Sequence, residues 1–178
     1  MAHFYKMQGL GNDFIIFMGT PLSSAFVHFL TARPYGIGAD QVINLSLSQS
    51  SQPAAVSFFN ADGRTAEVCG NGLRCVGLLL AHLTGCKTHS VRSKTRTHVL
   101  EVLDPPLVRA SMGGVTFPAT PSTLLDQQNA QDLRKKVLAH GRVEVGNPHL
   151  VFFISSKDTA SLAKHFGPIY EKSLPQGV

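Results

Sequence analysis

Residues 70–83, GNGLRCVGLLLAHL, would form a helix that is apolar on nearly every side, through Leu73, Cys75, Val76, Leu78, Leu79, Leu80, Ala81 and Leu83. A helix of that kind belongs inside a protein and not on its surface. Gly85 supplies its C-terminal stop. Whatever surrounds this segment must cover it on several sides, and the flanking sequence offers mostly strands for that task. The expected architecture is α+β: a curved mixed sheet wrapped around a central buried helix, without an alternating βαβ pattern.

The strands are read from apolar runs of suitable length and from the turns that bound them. Phe4 to Met7, Phe14 to Met18, Gln41 to Leu47 and Ala55 to Phe59 precede the helix. Ala61-Asp62-Gly63 turns the last of these back through Arg64 to Val68 as a hairpin. Ser90 to Arg92, His98 to Leu103 and Val108 to Met112 follow it. A first helix is expected over Ser23 to Arg33, with Ser23 as N-cap and Phe26, Phe29 and Leu30 on one side. Pro118 to Pro121 marks a boundary, giving segments 1–117 and 118–178. In the second, Asp126 to Ala139 reads as helix, Arg142 to Val145 and Leu150 to Ile154 as strands, and Thr159 to Phe166 as a final helix.

Chemistry concentrates where the buried helix begins. Cys69 precedes Gly70-Asn71-Gly72. Helix N-termini leave N–H groups unpaired and carry partial positive charge. That field attracts anions and lowers a thiol's pKa from a free value of about 8.5. Glycines here allow close approach to the backbone. The run offers a base and a carboxylate pocket together. Cys75 falls inside the helix and reads as core.

Composition narrows the alternatives. The chain of 178 residues is 43% hydrophobic and 15% charged, which suits a globular protein with a sizeable core. Its longest apolar run, Val76 to Ala81, is far short of a membrane span. Three cysteines give no disulfide framework and point to a reducing cytoplasm. The +5 charge has no aromatic platform or binding motif beside it, so no nucleic-acid partner is expected. Cys69, Cys75, Cys86, His82 and His89 lack paired zinc-ligand spacing, so no metal is expected. Residues 9–14, GLGNDF, lack the third glycine and following helix of a dinucleotide loop.

Gly11-Asn12-Asp13 precedes the apolar strand FIIFM, and Gly146-Asn147-Pro148-His149 precedes LVFFI. This echo suggests two related halves. Cys69 follows Asn12 by 57 residues, and the same spacing from Asn147 runs past Val178.

Six motifs resemble those of the diaminopimelate epimerase family: KMQGLGNDF (Lys6 to Phe14), GIGADQ (Gly36 to Gln41), FNADG (Phe59 to Gly63), CGNGLRC (Cys69 to Cys75), SMGG (Ser111 to Gly114) and GNPH (Gly146 to His149). The resemblance implies two pseudo-symmetric lobes, each a curved sheet around a helix, with the active site between them. It implies cofactor-independent interconversion of LL- and meso-2,6-diaminopimelate by two cysteines, in lysine and peptidoglycan precursor synthesis. It also implies a homodimer with a small-molecule substrate and neither nucleic-acid nor membrane partners.

Carried onto this chain, the resemblance makes Cys69 one catalytic acid/base, with His149 adjusting cysteine pKa values. Asn12, Gln41, Asn60, Gly70, Asn71 and Asn147 become substrate contacts. Amides both donate and accept, as an amino acid with charged groups at both ends requires, although Asn12 and Asn60 also sit where asparagine closes turns. The family's second cysteine motif, a further asparagine and a Glu-Arg pair have no counterpart here, so the second lobe is expected to be incomplete. Two rivals follow: a catalytically incomplete fragment or binding remnant keeping half a pocket, and a proline racemase-like enzyme, against which GNDF and GADQ argue.

Overall fold

The computed structural model describes residues 3–19, 21–47, 52–120, 131–146 and 148–171. The chain divides into two compact units, Met1–Met112 and Gly113–Val178. Among the described residues no helix is long and apolar enough to cross a membrane.

The first unit runs β1 (Phe4–Gly9), β2 (Asn12–Met18), α1 (Ser24–Thr31), β3 (Gln41–Ser46), β4 (Ala54–Asn60), β5 (Thr65–Ala66), α2 (Gly70–Thr84), β6 (Thr88–Arg92), β7 (Thr97–Val102) and β8 (Val108–Ala110). One mixed sheet takes the order β1-β2-β3-β4-β6-β7-β8, with β5 paired to β4. Both of its edge strands, β1 and β8, pack on α2. A sheet whose two edges reach the same helix must curl around it. The expected α+β curved sheet with a central helix is what forms.

Alternation along β2 explains how the sheet is held on both faces. Phe14 and Ile16 point into the α2 core with Ile43, Leu45, Val56, Phe58, Leu73 and Val76. Ile15 and Phe17 point the other way, into a smaller cluster with Val27, Leu30 and Val42 under α1. Successive strand residues face opposite sides, so a run apolar at every position is a strand covered on both. Gly72 sets the depth of α2. A Cβ there would lie 2.8 Å from Phe58 Cε1 and 3.0 Å from Ile43 Cδ1, closer than packed atoms tolerate.

Four sequence expectations are corrected. First, the hairpin return expected over Arg64 to Val68 is strand only at Thr65 and Ala66, opposite Phe59 and Phe58; the parallel pairs β2–β3 and β4–β6, with α1 and α2 in their connections, leave the order of elements without strand–helix alternation, as expected. Second, α1 buries Val27, Leu30 and Thr31, whereas Phe26 and Phe29 are 40% and 57% exposed. Packing of Val27 and Leu30 with Ile15, Phe17 and Val42 on the sheet face away from α2 fixes which side of the helix is buried. The Ser23 cap is as expected, accepting from the Phe26 N–H at 3.3 Å. Third, α2 is not buried all round: Asn71, Arg74 and Leu78 are half-buried and Leu83 is 41% exposed. Among the described residues the two sheet edges do not pair with each other, and a cavity of about 630 Å³ is lined by Tyr5 and Met7 of β1, Leu78 and His82 of α2, and Val102 of β7.

The second unit supplies the fourth correction. It holds α3 (Gln131–Arg134), β9 (Val137–Glu144), β10 (Pro148–Ile154) and α4 (Thr159–Glu171). The helix expected over 126–139 is a single turn at α3, and residues 137–139 belong to a strand; residues 126–130 lie outside the described residues. The Lys136 N–H donates to the Leu133 carbonyl at 2.8 Å and closes the turn. Antiparallel pairing with β10 then claims Val137 and Ala139, opposite Ile154 and Phe153. Leu133, Phe166 and Tyr170 form the core of this unit, and α4 continues past the expected end at Phe166 because Tyr170, one turn on, shares its buried face.

The β1–β2 connection is the tightest turn in the first unit. Gly9 pairs with Asn12, leaving Leu10 and Gly11 at φ of 56° and 84°. Positive φ at both central residues is what a type I′ hairpin turn requires, and asparagine is favoured there. Leu10 is 89% exposed, so it gains little packing to offset the left-handed backbone. Leu10→Asn is expected to stabilise the unit by about 1 kcal/mol, measured as a higher urea midpoint.

Candidate functional site

Strand direction gathers the site. Parallel pairing puts the beginnings of β2 and β3 side by side, with Phe14 opposite Gln41. Antiparallel pairing brings the end of β4 to the same place, with Gln41 opposite Asn60. The β5 return then delivers the N-terminus of α2. Asn12, Gln41, Asn60, Cys69, Gly70 and Asn71 therefore converge at one end of the sheet. His149 lies on β10 in the second unit, and Asn147 lies outside the described residues.

Cys69 is the N-cap of α2, with extended backbone (φ −113°, ψ 115°) and no side-chain capping bond. Its sulfur is thus not consumed by the helix. The residue is partly exposed, and the Asn12 amide, Nδ2, donates to Sγ at 3.7 Å. The Leu73 N–H closes the first helical bond onto the Cys69 carbonyl at 2.8 Å. The N–H groups just ahead of it, at Gly70, Asn71 and Gly72, fall in the first turn, where intrahelical acceptors are lacking.

The groups around this turn hold it in place. The Arg74 guanidinium donates to Asn71 Oδ1 and brings a cation to the same end of the helix. The Met112 sulfur would lie 3.5 Å from a Cβ at Gly70. Met112 is held by Arg96, whose Nη1 donates to its carbonyl at 2.8 Å. Beside it, buried His98 donates from Nδ1 to the Ser111 carbonyl at 2.7 Å, and its Nε2 accepts from the Ser93 hydroxyl at 3.0 Å. A carbonyl only accepts, so the proton is assigned to Nδ1.

Gln41 and Asn60 meet directly, Nε2 donating to Oδ1 at 2.9 Å. Gln41 Oε1 is buried and has no hydrogen-bond partner among the described residues. A buried acceptor left unpaired costs about 1–3 kcal/mol, and an N–H donor on a ligand would relieve that cost.

An ion-pair network lies behind the amides. Asp13 receives Lys6 Nζ at 2.7 Å and Arg33 Nη2 at 2.9 Å. Arg33 also reaches Asp40 at 2.8 Å. Arg33 above all, and Lys6 after it, hold the Asp13 carboxyl well below the usual carboxylate range, against the opposing effect of burial. Lys6, Asp13, Arg33, Asp40 and Arg74 were not singled out from sequence. The available signal was adjacency: Asp13 follows Asn12, and Asp40 precedes Gln41.

The other thiols differ in kind. Cys75 is 4% exposed and burial pushes it up to about 11. Cys86 is exposed beyond the far end of α2, whose 15 residues span roughly 22 Å.

A family model described as diaminopimelate epimerase matches residues 4–118. A diaminopimelate epimerase of Picosynechococcus sp. is 36% identical over 92% of this chain and 63% of its own length. One from Xylella fastidiosa is 34% identical over 99% of this chain and 66% of its own length. The chain thus spans a little under two thirds of the length of these curated relatives. In fold, it is similar to a solved structure described as a predicted epimerase from Pseudomonas aeruginosa, with a TM-score of 0.71 at 17% identity, covering 94% of this chain and 67% of that one. The chain belongs to the diaminopimelate epimerase family.

Proposed function

We propose that this chain carries the Cys69 half of a cofactor-independent site that epimerises 2,6-diaminopimelate between its LL and meso forms, for lysine and peptidoglycan precursor synthesis. The observation that carries this reading is the uncommitted Cys69 thiol, at the N-terminus of α2, with the Asn12 amide on its sulfur. Epimerisation removes a weakly acidic α-proton from one face of a carbon and returns one to the other. The Cys69 thiolate takes or returns the proton on its own face. The Gly70 and Asn71 N–H groups hold the α-carboxylate, where negative charge grows as the carbanion forms and where such donors count most. Gln41 and Asn60 serve the polar groups of the substrate, Gln41 Oε1 as an acceptor. Asn147 adds a contact and His149 adjusts cysteine pKa, both by family resemblance. A cytoplasmic homodimer goes with this reading.

The second reading is a chain that keeps this half-site without completing the reaction. It is favoured by the placement of the other two thiols: Cys75 is packed in the core and Cys86 is a helix length away. One experiment tests the common element. In D₂O, Cys69 alone is expected to exchange the α-proton of one stereoisomer with retention of configuration, seen as loss of the α-proton NMR signal. Cys69→Ala should abolish that exchange. Absence of exchange in both the LL and meso forms would sink the half-site.

A further inference from the structure

We infer that Asp13 is the positioning residue that holds the Asn12 amide on the Cys69 sulfur. Asn12 stands directly after the Leu10-Gly11 turn, which has little of its own to fix it. Leu10 is 89% exposed, and the polar tie within the turn is the Gly11 N–H to Gln8 Oε1 bond at 3.1 Å. The next residue is fastened on every side. Asp13 Oδ2 receives Lys6 at 2.7 Å, and Oδ1 receives Arg33 Nη2 at 2.9 Å and the Asp40 N–H at 3.0 Å. In return the Asp13 N–H donates to Asp40 Oδ2 at 2.9 Å. The Asp13 carbonyl accepts from the Asp40 N–H at 3.0 Å. Lys6 also donates to the Gly38 carbonyl.

The clamp therefore ties the first residues of β2 to the loop before β3, one residue away from both Asn12 and Gln41. It is a geometric restraint on the amide, which in turn donates to Cys69 at 3.7 Å. The other charged or titratable groups nearby are Glu67, Arg74 and Cys75 on the segment bearing Cys69, and Arg96 beside Met112. None of them ties Asn12.

Positioning and direct electrostatics predict opposite signs. Removing the Asp13 charge takes an anion away from the thiolate and, by Coulomb's law alone, would lower the thiol pKa. Releasing Asn12 removes a hydrogen bond to the thiolate and raises it. The inference rests on Cys69 as the acid/base group, but its readout, the pH profile of Cys69 alkylation by iodoacetamide resolved by peptide mass spectrometry, needs no diaminopimelate.

For Asp13→Asn, the alkylation midpoint is expected to rise by about one pH unit. Asn12→Ala should give the same rise, and the double variant no more than either alone. Arg33→Lys keeps the charge but loses the fork-shaped contact, and should move the midpoint upward by less. The Arg33 side chain is 59% exposed, so this variant decides the matter if Asp13→Asn does not fold. An unmoved or lowered midpoint in folded Asp13→Asn, additive shifts in the double variant, or an unmoved Arg33→Lys when Asp13→Asn does not fold would each overturn the inference. A raised midpoint without α-proton exchange would instead leave the clamp intact and remove the epimerase half-site.

Discussion

A Leu73→Ala chain is expected to lose about 2–5 kcal/mol of stability, read from chemical denaturation followed by far-UV circular dichroism. Leu73 is fully buried, in the same cluster as Phe14, Ile43, Phe58 and Val76. Its neighbour Gly72 already lies so close to Phe58 and Ile43 that the helix cannot settle further onto the sheet to fill the space. A cavity left unfilled is what makes such truncations costly. Against a total of about 5–15 kcal/mol for a typical domain, the loss removes a large share. Leu83→Ala, on the same helix but at a residue 41% exposed, should cost less, about 1 kcal/mol, because two fifths of its surface already meets water and the truncation leaves no closed cavity. Equal losses from the two substitutions would contradict a sheet that curls around the first turns of α2.

The second large effect concerns activity. On the proposed reading, the 178-residue polypeptide is expected to form meso- from LL-diaminopimelate about 10²–10⁴-fold more slowly than an enzyme with an acid/base group on each face of the reacting carbon, the usual contribution of one general acid or base. Inversion needs proton donors on both faces of the carbon. Cys75 cannot serve, because burial pushes its thiol up to about 11 and the helix holds it in the core. Cys86 is exposed, but a 15-residue helix separates it from Cys69. The assay is chiral chromatography of the product. Turnover without such a deficit, and lost in Cys69→Ala, would show that another group supplies the second proton. Combined with the deuterium experiment, the outcome separates a complete site from a half-site: exchange with retention marks one acid/base, and inversion marks two.

Much of the first unit was legible because its signals are local. The FIIFM run in β2, the apolar sequence of α2, the Ser23 cap and the Gly85 stop each follow from spacing and residue type. The α1 face was not legible, since Phe26, Phe29 and Leu30 compete with Val27, Leu30 and Thr31 for the same helix. Packing of Val27 and Leu30 against Ile15, Phe17 and Val42 decides between them. The segment around Val137 went wrong for a similar reason. Its residues fit a helical count, and pairing with β10 overrode that preference.

The candidate site divides along the same line. Sequence alone determined that Cys69 would head a buried helix, with glycines and unpaired N–H groups beside it, because a helix start is specified within a few residues. It also marked Asn12, Gln41 and Asn60 as polar groups at strand ends. Only the tertiary structure decided that these three ends meet at the start of α2. That outcome depends on β2 and β3 running parallel while β4 runs against them, and strand direction is set by the whole sheet. The structure likewise decided that Asp13 and Asp40 face one arginine across 27 residues of chain. An ion pair has no periodicity to betray it, so it becomes visible only once the loops are brought together.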